Sequence, residues 1–140
     1  MTMPSGYVLH RGTPAIEDYL RLRRESGLTP RTPAQAEAGL PGSWAACHVT
    51  HGDIGPAVAM GRVIGDGGWY FHIIDMAVLP EHQRCGLGDA VLTWLLTRIR
   101  EDAPEGAFVS LMADPPGRPL YAKHGFSERR DLSMGMAIWN

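Results

Sequence analysis

The chain has 140 residues, 44% of them hydrophobic and 20% charged, with a formal net charge of −2. That length suits one domain with a substantial core, and the balance of residue types is ordinary for a globular protein. A slightly acidic chain offers no general basic field, so bulk nucleic-acid binding is not expected.

In chain order, residues 1–7 lack the apolar core of a secretion signal, and no later run reaches membrane-spanning length. A cytoplasmic location without a membrane partner is therefore the default expectation. A short strand at residues 7–10 leads to a helix that opens at Thr13-Pro14, with Thr13 as its N-cap, and ends at Gly27. Arg21, Arg23 and Arg24 on that helix read as a solvated face balanced by Glu17, Asp18 and Glu25. Residues 28–42 carry three prolines and a short helical piece at 34–38, which suits either a wall over a site or an ordinary connector. Strands at 44–50 and 57–64 flank a hairpin turn, and Gly65-Asp66-Gly67-Gly68 returns the chain into a third strand at 69–78. Arg62 and Asp66 are placed to pair across that turn. A helix at about 89–102, a buried-looking strand at 107–113, a short helix at 118–124 and a last strand near 134–139 complete the chain. The order β-α-α-β-β-β-α-β-α-β describes a mixed sheet with helices on its faces. Cys47 lies in an apolar run and Cys85 in a glycine loop, which argues against a disulfide and for a reducing compartment.

Chemistry concentrates in two places. Gln83, Arg84, Cys85, Gly86, Leu87, Gly88 and Asp89 link an apolar strand to a helix start. Glycines there permit close backbone approach, and N–H groups at a helix N-terminus face an anion, so the loop is a phosphate cradle. The second place is Asp114 and the run Leu120-Tyr121-Ala122-Lys123-His124-Gly125-Phe126. A helix joins the strands that end at these two places, as expected of a parallel pair. If the strands diverge, their free backbone groups could take an extended ligand. A dinucleotide fingerprint is disfavoured because Val91 stands at its third glycine position, and a Walker loop lacks its Gly-Lys-Ser/Thr ending. His48 and His51 would point to opposite sides of a strand, and His82 with Cys85 lack the further ligands of a zinc site, so no metal is expected. Trp44, Trp69, Phe71 and Trp139 read as core.

Asp75-Met76-Ala77-Val78-Leu79-Pro80 followed by Gln83-Arg84-Cys85-Gly86-Leu87-Gly88 resembles the acetyl-CoA signature of the GNAT superfamily of N-acetyltransferases. The run from Leu120 to Phe126 resembles the family's second cofactor motif, Leu-Tyr-x-Lys-x-Gly-Phe. The resemblance implies a single domain over residues 1–140, of α/β (α+β) class. Its mixed, mostly antiparallel sheet would have six to seven strands, with helices on both faces. It implies acetyl-CoA as cosubstrate, with its pyrophosphate on the backbone of Gln83, Arg84, Cys85, Gly86, Leu87, Gly88 and Asp89. Met76, Ala77 and Val78 would pair with the pantetheine arm, and Tyr121 would protonate the leaving thiolate. Asp114 stands where the family often has Asn, so its part in cofactor binding rests on position alone. The expected acceptor is a primary amine, a small molecule by preference, and homodimers occur in the superfamily.

An amine with a pKa of about 10.4 is almost wholly protonated near neutral pH, so a proton acceptor is useful. Asp75 is the candidate base or amine-binding group. His72 is the alternative, and strand alternation puts it on the opposite face from Asp75 unless a bulge intervenes. A CoA-binding module without catalysis, another acyl-CoA, or a protein lysine acceptor are the competing readings.

Overall fold

The computed structural model describes residues 3–129 and 133–139. Five strands form one sheet in the order β1-β2-β3-β4-β5, namely β1 Tyr7–Arg11, β2 Ala45–His51, β3 Ala57–Gly65, β4 Tyr70–Val78 and β5 Phe108–Leu111. The first three pairings are antiparallel and β4–β5 is parallel. Among the described residues four α-helices accompany them, α1 Ile16–Glu25, α2 Pro33–Gly39, α3 Leu87–Asp102 and α4 Arg118–Lys123. Among the described residues no helix is long and apolar enough to cross a membrane.

Among the described residues the expected final strand does not form, so the sheet has five strands there rather than six to seven and the element order ends at α4. Residues 133–139 alternate apolar side chains, but Met136 and Ile138 are 93% and 94% exposed. A strand needs a ladder and a face to bury, and the apolar side chains of this segment have found no face. β5 consequently forms the sheet edge, and its Phe108 is half exposed rather than buried. Trp69 and Trp139 are likewise exposed, whereas Trp44 packs against the fully buried Phe71 at 4.8 Å.

The first helix begins at Ile16, with Ala15 as its uncapped N-cap, and not at Thr13. Gly12 explains the delay. Its N–H donates to Ala46 O at 2.8 Å and its carbonyl lies 2.8 Å from His48 Nδ1, so the sheet still holds the chain there. α2 is fixed by a reciprocal cap between Thr32 and Gln35, a Thr-x-x-Gln pattern legible in the sequence. α3 starts two residues earlier than expected because Gly86, at φ 93, turns the chain directly into it.

Helices cover both faces. Val91 and Leu95 of α3 press onto Gly61 of β3, while the next side chain, Arg62, reaches the opposite face toward α1. Leu22, Val49, Val63, Phe71, Leu92 and Leu95 are fully buried between these layers. A β-carbon on Gly61 would lie 2.7 Å from Val91 Cγ1 and from Met76 Sδ. Gly61→Val is therefore expected to lower the unfolding free energy by about 1–3 kcal/mol in urea titrations, as overpacking does. Wild-type stability would show that α3 is not seated this closely.

Candidate functional site

β4 contains one more residue than its partner requires. Met60 pairs with Ala77 and Arg62 with Ile74, so two steps on β3 oppose three on β4. Asp75 takes up the excess in a left-handed conformation, φ 60. This bulge turns Asp75 toward the face that carries Arg62 and α1. There Arg23 Nη1 donates to Oδ1 at 2.5 Å, while Arg62 Nε at 2.6 Å and the Tyr19 hydroxyl at 2.8 Å donate to Oδ2. Asp75, Arg23 and Tyr19 are all buried. Desolvation, then the Asp75 carboxylate, holds the Tyr19 hydroxyl above its ordinary pKa, so it stays a donor.

Arg23 is thus no part of a solvated helix face. Arg62 does not pair with Asp66, whose Oδ1 instead accepts from the N–H groups of Gly68, Trp69 and Tyr70. The sequence reading missed this cluster because nothing local marks an arginine as inward-facing. The available signal was helical spacing, since Tyr19, Leu22 and Arg23 at i, i+3 and i+4 share one face.

The bulge also answers the orientation of His72. It lies two residues before Ile74, and so on Ile74's face, and the bulge brings Asp75 to that face as well. Its Nδ1 is 2.9 Å from Ser110 Oγ on β5, and burial lowers its pKa.

Beyond this point the sheet opens. β4 and β5 are in register from Tyr70↔Phe108 to Ile73↔Leu111, after which β4 continues to Val78 without β5 but still paired with β3. Among the described residues no β5 partner faces Met76, Ala77 or Val78. The loop at 83–88 closes the far end of this gap. Gln83 Nε2 donates to Val78 O at 3.0 Å, and Cys85 Sγ to His82 O at 2.9 Å. Gly86 enters α3 with no side chain capping the helix, so the first-turn N–H groups, Leu87 to Asp89, are left for an external acceptor. Arg84, at φ 62, is exposed beside them.

α4 packs across the same end. A β-carbon on Gly88 would sit 3.3 Å from Leu120 and 4.0 Å from Val78, so the strand end, the loop and α4 converge. His124 Nε2 at 2.6 Å and Lys123 Nζ at 3.3 Å bind Asp89 Oδ1 and pin α4 to α3. Those contacts lower the pKa of Asp89 against a desolvation that raises it. Tyr121 is half-buried against Gly117 and Phe126. Burial first, then the Asp114 carboxylate, raises its pKa, so its hydroxyl keeps a proton throughout the neutral range. No group of three or more His, Cys, Asp or Glu among the described residues could hold a metal.

Beside the bulge, a hollow of about 180 Å³ opens between α1, α2 and the sheet, with Arg23, Arg31, Arg62 and Asp75 in its wall. A larger hollow of about 330 Å³ near Arg11, Trp44 and Trp94 contains none of the candidate residues.

A family model described as an acetyltransferase (GNAT) domain matches residues 43–128. The fold is similar to that of a protein of unknown function, a probable acetyltransferase, from meticillin-resistant Staphylococcus aureus. The two are 36% identical with a TM-score of 0.89, over 96% of this chain and 99% of that one. A GNAT-family acetyltransferase from Streptococcus pneumoniae is 23% identical, with a TM-score of 0.77 over 96% and 97% of the two chains, and supports the fold alone. No curated protein matches the chain by sequence. With more than half its length under that family model, the chain belongs to the GNAT acetyltransferase family.

Proposed function

We propose that the protein transfers an acetyl group from acetyl-CoA to a primary amine of a small molecule, by direct attack within one ternary complex. The observation that carries this reading is the departure of β4 from β5 beyond Ile73, with the uncapped start of α3 and the Tyr121 helix at that end. In this reading the edge of β4 at Met76, Ala77 and Val78 that β5 leaves uncovered takes the pantetheine arm as an added strand. N–H groups from Gln83 to Asp89 hold the pyrophosphate, with Arg84 beside it and Asp114 near the arm.

Acetyl-CoA supplies an activated acyl carbon. The amine nitrogen bonds to that carbon, the carbon–sulfur bond breaks, and Tyr121 gives its proton to the thiolate. Holding both reactants in place supplies the proximity that the bimolecular reaction lacks. An N–H of the bulge that faces the developing oxyanion stabilises it. Both oxygens of Asp75 already accept from strong donors. Asp75 therefore fixes the bulge and the amine-side wall, and His72 is the neutral acceptor for the amine proton on the same face.

Tyr121→Phe is expected to reduce kcat by ~10²-fold or more while the Kd for CoA changes little. Undiminished turnover would remove Tyr121 from the chemistry. Gly86→Glu places a carboxylate in the phosphate cradle and should abolish CoA binding in calorimetry, with circular dichroism as the folding control. Retained binding would overturn the donor site. Since burial depresses His72, its protonation falls below the ordinary pKa of about 6.5. Turnover should hold above that value and decline as pH drops beneath it, and His72→Gln should lower the plateau and erase that limb. A profile that keeps the limb in His72→Gln would assign it elsewhere.

A further inference from the structure

We infer that the acceptor amine carries an anionic group, a carboxylate or a phosphate, that seats against Arg23, Arg31 and Arg62; this rests on the acyl-transfer reading above. The hollow beside the bulge has three guanidinium groups and one carboxylate in its wall. Asp75 balances only one of those charges, so the wall keeps an excess of two positive charges where a ligand would lie.

The arginines are also presented for binding. Arg23 is anchored through Nε to Thr29 O at 2.9 Å, and Arg62 through Nη1 to Ser43 Oγ at 3.3 Å. Each gives one further nitrogen to Asp75, and among the described residues no acceptor engages Nη2 of either. Two guanidinium forks are thus fixed in orientation with a donor to spare, which suits the planar oxygens of a carboxylate or the fork of a phosphate. Arg31 also lines the hollow, its guanidinium 5.7 Å from the Trp139 ring and its Nη1 bonded, among the described residues, to the adjacent Pro30 carbonyl.

Position supplies the remaining argument. Ile74 and Asp75 line this hollow, and Met76 follows directly in the chain. An anion held by the arginines therefore leaves a neighbouring amine at the bulge, where the gap between β4 and β5 begins. A volume of about 180 Å³ admits a small molecule. Polyamines, by contrast, would bring cations to a cationic wall.

The test pairs amines that differ only in the anion: amino acids against their methyl esters, and O-phosphoethanolamine against ethanolamine. CoA release gives kcat/KM for each, and calorimetry without acetyl-CoA gives their Kd, for the wild type and for Arg31→Gln. The anionic member should be preferred ~10-fold or more, and Arg31→Gln should cut that preference mainly through KM. Whichever pair shows the larger ratio distinguishes carboxylate from phosphate. Equal or better use of the uncharged or cationic partners would overturn the inference. If no amine releases CoA yet anionic amines bind in an Arg31-dependent way, the pocket assignment stands and the acyl-transfer reading falls. Absence of both CoA release and selective binding would overturn the inference.

Discussion

Asp75 holds a left-handed backbone inside a nine-residue strand, a conformation that costs a non-glycine residue about 1 kcal/mol or more. Such a residue persists only where its surroundings over-determine it. Here two arginines and a tyrosine, from α1 and β3, converge on one buried carboxylate. Without that convergence the extra residue of β4 could be absorbed elsewhere along the ladder. The faces presented by Ile74, Met76 and Val78 would then change. The bulge thus sets both the free edge of β4 and the position of α1 over the sheet.

The same cluster explains why charge is tolerated in this interior. A buried ion pair seldom adds net stability, because desolvation offsets the attraction, but losing one partner strands the other. Asp75 is matched by more donors than its charge requires. The surplus cannot be relieved by deprotonation, since guanidinium groups stay charged. An excess of that kind at the edge of a hollow is a standing preference for an anion. Stability of the bulge and selectivity of the neighbouring hollow arise from the same side chains.

How far the sequence disclosed this depends on what carries the information. The glycine loop, α3 and the Tyr121 helix were legible because turn glycines, helix starts and aromatic spacing are local. The hairpins from β2 to β4 were legible for the same reason. That no last strand forms among the described residues was not: residues 134–139 have the alternation of a strand, yet pairing depends on an available edge and face, which no local pattern reports. Arg23 shows a second limit. Its neighbours Arg21 and Arg24 contact Asp18 and Glu25, as a surface cluster should, while Arg23 is turned inward by one helical step.

On the proposed reading, donor and acceptor sides differ in how they are built. The donor side is made of backbone: an unpaired strand edge and an uncapped helix start, both indifferent to side-chain identity apart from the glycines that permit them. Backbone recognition can be carried by a short motif, and it identifies a class of ligand. The acceptor side is made of side chains that reach from α1, β3 and the segment before α2 toward a bulge in β4. Those residues lie at positions 23, 31, 62 and 75, and only the folded chain makes them neighbours. The family's shared chemistry resides in the first construction. On the proposed reading, what this member accepts is decided in the second, where three arginines face one aspartate.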